Sequence, residues 1–284
     1  VSSWEEWSTL RRIAALIESP QGGEAENGSA VAAELAVFIE RLHAYEPDEL
    51  TAGIDRVVRN IMDRRPTSAP LLTLVNAVLL TTGKGPATMI AEVRSVAERL
   101  RTSVGILATM GAAFIPDGGS VLAHGSSSSV RHLLEEAAAT KRFRVTCGSG
   151  EDDAGRLFAA DLIAAGISVE VIDEDYVVDS LLGVDLVVTG AFAFGPESMI
   201  NIAGTTALVK EADNSDVRVL LVASADKALP APLFDRAAAT AMRSYGQEVV
   251  GLSYFEAIVT ELGVMDPATA GRLAEQRQVA PQLA

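Results

Sequence analysis

Six short apolar runs fix the class of fold open to the second half of this chain. Residues 121–123, 143–147, 169–172, 186–189, 217–222 and 249–252 are for the most part near-continuously apolar, the pattern of strands covered on both faces. Segments of helical character separate them, at 129–140, 154–165, 175–182, 202–213 and 232–243. Strand and helix in alternation, joined by right-handed crossovers, predict a doubly wound parallel sheet. In such sheets a ligand sits beyond the carboxyl ends of the strands. The loops to inspect are therefore 124–129, 148–156, 173–175, 190–201 and 223–229.

The first of these loops is the most pointed. A strand ending at His124 is followed by Gly125 and four serines, Ser126 to Ser129, and then by a helical pattern through Val130, Leu133 and Leu134. Such a turn leaves backbone N–H groups unpaired at a helix N-terminus, where they favour an anion such as phosphate. Serine is also the ordinary helix cap, so an anion site and a plain capped turn are both open readings. Elsewhere the familiar signatures are missing. No G-x-G-x-x-G follows the first strand, no P-loop occurs, and Cys147-Gly148-Ser149-Gly150 only comes near a nucleophile elbow. His124 and His132 are the histidines of this half, too few for a convincing Ser–His–Asp triad. Cys147, at a strand end, reads as a small buried hydrophobe.

Before residue 115 the period is helical. Val31, Leu35, Phe38, Ile39 and Leu42 share one stripe, and Ile90, Val93, Ala97, Leu100, Val104 and Leu107 form a longer seam in which the small Ala97 admits a close neighbour. Trp4 and Trp7 mark an amphipathic face, and 19–30 is the clear flexible stretch. His43 stands alone on a helix and reads as solvated or packed. In Arg64-Arg65-Pro66-Thr67-Ser68 a helix stop and a new cap explain the residues, unless Arg65 is offered to an anionic ligand. The expected organisation is a helical domain over 1–115 and a Rossmann-like α/β domain over 116–284.

Composition narrows the partners. The net charge of −15 opposes nucleic acid and anionic membrane. No apolar run reaches the roughly 18 residues of a spanning helix, and the first residues carry no apolar core of a secretory signal. The single cysteine excludes an internal disulfide and suits a reducing cytoplasm. With three scattered histidines no zinc-like cluster can be assembled, and nothing calls for a cofactor.

Three stretches resemble one superfamily. Arg65-Pro66-Thr67-Ser68-Ala69 is similar to the R-P-T-[SA]-V segment of ribose-1,5-bisphosphate isomerases. Gly190-Ala191, Ile200-Asn201 and Gly204-Thr205 resemble G-A-D…[IV]-N-K-x-G-T, and Val259-Thr260-Glu261-Leu262-Gly263-Val264 resembles the closing [IV]-T-E-x-G-[IV]. The superfamily includes methylthioribose-1-phosphate isomerases and the alpha, beta and delta regulatory subunits of the eukaryotic guanine-nucleotide exchange factor for translation initiation. The resemblance implies a helical domain, a Rossmann-like domain and assembly at least into dimers. It also implies a catalytic pair, a cysteine after the first-strand histidine and the aspartate of G-A-D. Here these positions hold Gly125 and Phe192, neither able to exchange a proton. The family's loop arginine aligns with Gly150 and its lysine after Asn with Ile202. The early R-G-A motif has no counterpart in 19–30, and 190–201 is one residue shorter than usual.

The resemblance thus leaves a partial ligand set: Arg65, Gly125, Ser126, Ser127, Ser128, Arg156, Asn201, Gly204, Thr205 and Lys227. Arg156 also suits a helix surface, and Lys227 a solvated loop. The run Glu151, Asp152 and Asp153 would cap the following helix and repel a dianion at the same rim. The first expectation is an initiation factor 2B-like, regulatory-subunit-like protein without isomerase activity, keeping a degenerate site for a phosphorylated sugar or nucleotide. The alternative is a sugar-phosphate isomerase or related enzyme with altered residues, His124, Asp173 or Asp175 serving as base. A third is a subunit paired with an active paralogue rather than a homo-oligomer.

Overall fold

The computed structural model describes residues 3–19, 23–150, 153–243 and 246–284. Its first part is helical: α1 (Ser8–Glu18), α2 (Glu24–Tyr45), α3 (Leu50–Arg64), α4 (Ala69–Thr81) and α5 (Pro86–Ala112). The α2 stripe is the buried one, with Val31, Leu35, Phe38, Ile39 and Leu42 at most 3% exposed. Burying each such side chain contributes roughly 1.5–3 kcal/mol. Trp4 and Trp7 close over Phe38, their ring centroids 6.2 and 6.3 Å from it. Almost every residue of α4 is buried, as a helix apolar all round must be. Where α5 offers Ala97, α2 comes near enough for Ser29 Oγ to donate to its carbonyl at 2.8 Å. His43 is exposed.

The sheet is a mostly parallel one of seven strands, β1 (Ser120–His124), β2 (Arg144–Gly148), β3 (Ser168–Ile172), β4 (Leu186–Thr189), β7 (Arg218–Val222), β9 (Ala257–Thr260) and β10 (Gly263–Met265). Their order is β10-β9-β7-β4-β1-β2-β3. Helices α6 (Ser128–Ala138), α7 (Ala154–Ala164), α8 (Thr205–Asn214), α9 (Ala231–Ala241) and α10 (Pro267–Glu275) lie among the strands in sequence. β1 and β4 are buried along their whole length. From β1 the chain winds one way through β2 to β3, and from β4 the other way through β7. The direction reverses between β1 and β4, where His124 sits opposite Thr189, and a crevice opens at that switch.

Four expectations are corrected. Much of 19–30, expected to be flexible, is helical, because α2 begins at Glu24. The run 249–252 does not join the parallel sheet. Its first three residues lie in β8 (Gln247–Gly251), which pairs antiparallel with β6 (Ser198–Ile202), itself hairpinned to β5 (Ala193–Phe194), as a separate three-stranded sheet, and Leu252 opens a 3-10 turn. Much of the expected 190–201 loop is thus a hairpin, and α8 starts at Thr205 because β6 runs through Ile202. The places beyond β7 go to β9 and to antiparallel β10. The expected helix 175–182 is two 3-10 turns, Glu174–Tyr176 and Asp179–Leu181. Adjacent β-branched Val177 and Val178 and the left-handed Gly183 (φ +79°) work against a longer helix there.

The change from helices to strands falls between Ala112 and Ser120, yet apolar packing crosses it. Leu107 of α5 belongs to the core around β1 and α6. Leu233, Phe234, Ala280 and Leu283 pack into the core of the helical part. Among the described residues no helix is long and apolar enough to cross a membrane.

Candidate functional site

The crevice at the strand switch holds two adjoining cavities of about 210 and 260 Å³ that share Gly125, Ser126 and Ile202. The first is lined by Glu24, His124, Ser126 to Ser128, Phe192, Asn201 and Lys227. At its floor α6 begins with Ser127 in the capping position, making no side-chain cap. Among the described residues no acceptor meets the N–H groups of Ser128, Ser129 or Val130, so the turn presents open donors at a helix N-terminus. Gly190 is required beside it, since any Cβ there would run into Ser127.

His124 is 3% exposed. Its Nε2 lies 3.0 Å from Thr205 Oγ1, whose hydroxyl is 2.7 Å from the Ile202 carbonyl. Burial pushes the imidazole pKa down to about 4, so the ring is neutral at pH 7. Asn201 Nδ2 donates to Thr189 Oγ1 at 2.9 Å, and that hydroxyl donates to the His124 carbonyl at 3.0 Å. This chain of bonds ties β6 to the ends of β4 and β1. Thr205 and Gly204 support the wall without lining either cavity. The N–H of Thr206 in the first turn of α8 is met by Glu248 at 2.6 Å.

The cations are already engaged. Arg65 does not line the cavity; it pairs with Glu24 at 2.5 Å, and Ser68 also donates to that carboxylate. Glu24 is therefore the group the cavity sees. Lys227, readable as a solvated loop charge, is 6% exposed. Its Nζ donates to the Ala191 carbonyl at 2.6 Å. Burial lowers its pKa, against the pull of Glu24 and Glu26. Arg156 lies on the surface, paired with Asp153 at 3.0 Å, and lines neither cavity. Asp153 spends its carboxylate on that pair and makes no cap for α7; Glu151 and Asp152 lie outside the described residues. Asp173 and Asp175 are exposed, with Asp173 accepting from the Asp175 N–H at 3.4 Å. The acid that does enter the crevice is Glu174, which accepts from Gly150 N–H at 2.9 Å. Cys147 is buried, and burial together with Glu174 lifts its thiol to about 11. Among the described residues no three acidic, histidine or cysteine side chains converge as metal ligands would.

The sequence matches the initiation factor 2 subunit family over residues 21–250. The chain belongs to that family. Solved structures agree on the fold. The Pyrococcus horikoshii OT3 translation initiation factor eIF-2B superposes with a TM-score of 0.75 at 20% identity, over 93% of this chain and 98% of that one. The tetrameric eIF2B-beta2-delta2 complex from C. thermophilum gives 0.77 at 17% identity, over 96% and 94%. eIF2B beta from Chaetomium thermophilum gives 0.74 at 14% identity, over 99% and 96%. No curated protein matches the sequence.

In this member of the initiation factor 2 subunit family, the two positions that the resemblance marks as acid and base do meet at one cavity. Gly125 and Phe192 both line it. Gly125 holds φ +80°, and a Cβ there would stand 3.3 Å from Ile202 Cδ1, so a longer side chain is opposed by both backbone and neighbour. Sequence reasoning missed Glu24 and Glu174. Glu24's one local signal is an acid in the first turn of a helix, which does not reveal its meeting with Arg65.

Proposed function

We propose that this chain is a regulatory-subunit-like member of its family that does not isomerise sugar phosphates. It acts in the cytoplasm as an oligomer, with a second copy or with a paralogous subunit. The observation that carries the reading is the joint presence of Gly125 and Phe192 on one cavity wall, where the resemblance asks for a thiol and a carboxylate. The ionisable groups that remain are held by other partners, Glu174 of the adjoining cavity by the Gly150 N–H at 2.9 Å. Glu24 is tied to Arg65, Lys227 to a carbonyl, and His124 is a buried neutral ring. A general base needs a pKa near the working pH and reach to the substrate. His124 is displaced from that range, and Asp173 and Asp175 lie outside both cavities. A phosphorylated sugar or nucleotide would be held by the open N–H groups of α6, facing Glu24, and therefore weakly.

Assembly is supported by the related tetrameric eIF2B-beta2-delta2 complex, where family members associate with one another. The test has two arms. Purified protein should give no turnover of ribose-1,5-bisphosphate or methylthioribose-1-phosphate, and clear turnover of either overturns the non-catalytic reading. Light scattering should give at least twice the chain mass of 29.8 kDa, and a strict monomer removes the oligomer.

A further inference from the structure

The 3-10 turn Ala225–Lys227, which follows β7, carries two buried charges with different neighbours. Lys227 lines the crevice, whereas Asp226, 2% exposed, is turned to Arg99 of α5 and to Arg277 after α10. These arginines line a third cavity, between the helical part and the segment after α10, with Lys84 and Glu92 at its border.

The charges here are loosely closed. Asp226 Oδ1 lies 3.4 Å from Arg99 and 4.0 Å from Arg277, well beyond the about 2.7–2.9 Å of a charge-assisted bond. Glu92 is 3.8 Å from Arg99. Arg277 Nη2 donates to the Ala225 carbonyl at 2.6 Å, but its Nε and the Asp226 Oδ2 are buried with no hydrogen-bond partner among the described residues, and burial works against the charged form of Arg277. The wall around the pair is fixed. Thr73 Oγ1 donates to the Asp226 carbonyl, and Asn76 bonds both the Gln278 carbonyl and the Ala280 N–H. Arg99, Arg277 and Lys84 meet three carboxylates here, Asp226, Glu92 and Glu261, the last set behind the turn and accepting from the Ala225 N–H at 2.8 Å.

We propose that this cavity, about 300 Å³ in volume, binds a small organic anion bearing a carboxylate or a phosphate monoester, seated between Arg99 and Arg277 with Lys84 beside it. Planar guanidinium forks bond either group in bidentate fashion, and an anion there gives both arginines the close partner that Asp226 does not. The site is separate from the strand-switch crevice and stands whether or not that crevice binds anything.

Thermal unfolding of the full chain, titrated with inorganic phosphate and with citrate at ionic strength matched by sodium chloride, tests it. Either anion should raise Tm above the chloride control, and the tighter one identifies the favoured group. Arg99→Gln or Arg277→Gln should weaken the apparent affinity about tenfold or more, as loss of a charge-assisted bond does. Should Arg277→Gln fail to fold, Arg99→Gln and Lys84→Gln carry the test from exposed positions. Ser127→Ala, in the crevice, should leave this binding intact. Neither anion exceeding chloride overturns the proposal. So does a shift that Arg99→Gln leaves unchanged, which would place the effect outside this cavity.

Discussion

The turn Ala225–Lys227 sends Lys227 into one cavity and sets Asp226 behind the arginines of another, and the two cavities hold their cations differently. Above the strand switch, Arg65 meets Glu24 at 2.5 Å and Lys227 meets a carbonyl at 2.6 Å. Beside α5, Arg99 and Arg277 divide one carboxylate oxygen at 3.4 and 4.0 Å. The first cavity holds the positions that the resemblance marks for a ligand, yet its positive charge is neutralised from within. In the second, Arg277 bonds the Ala225 carbonyl at 2.6 Å and Arg99 the Ser95 hydroxyl at 3.0 Å, but neither has a carboxylate at close range. Counting basic residues in each would not separate them; the distances do. A cation with a close internal partner has little left to offer a ligand, because the ligand must first displace that partner.

The contrast can be broken most forcefully by acid. His124 has a folded pKa of about 4 against an ordinary 6.5 because it is buried. Between those values the unfolded chain binds the proton and the folded one does not, so stability is full above about pH 6.5 and falls toward pH 4. The loss should reach roughly 3 kcal/mol. Urea unfolding at pH 7, 5.5 and 4 measures it, and His124→Gln should flatten that part of the slope. An unchanged slope in the variant would mean the crevice floor is wetter than its packing implies.

A smaller effect sharpens the other side. Asp226→Asn should cost about 2 kcal/mol by leaving half-buried Glu261 as the one nearby counter-charge to Arg277 among the described residues, and added phosphate or citrate should restore much of it. If the variant is as stable as the parent, the two cavities do not differ in the way the distances indicate. The mildest test is Gly125→Ala. Its φ of +80° and the nearby Ile202 predict a loss of about 1 kcal/mol, read as a Tm lowered by a few degrees. No loss would mean that Ile202 yields freely and that the position tolerates the longer side chain its relatives are expected to carry.

The sequence made local order readable and long-range meetings unreadable. The stripe from Val31 to Leu42 announced α2 and its buried face, because helical periodicity is a property of neighbours. The Gly125 to Ser129 turn announced a strand-to-helix junction for the same reason. The pairing of β8 with β6 was not legible, since an apolar run says strand without saying which partner it takes. Glu24 was hidden within a stretch read as flexible, and its role appears only when residues 41 and 44 positions away arrive beside it. Lys227 shows the converse. The resemblance singled it out, while a charge in a post-strand loop read as solvated and its burial to 6% went unforeseen.

The strap formed by residues 277–283 carries a consequence for biosynthesis. Asn76 grips a carbonyl and an N–H that lie 202 and 204 positions downstream, and Ala280 and Leu283 join a core made mainly by the early helices with help from α9. During translation those helices emerge with that flank uncovered, and it stays raw until the whole sheet has been made. A ribosome-bound intermediate of this protein should therefore offer chaperones a sticky groove along α4, one that vanishes only when the strap clips into place.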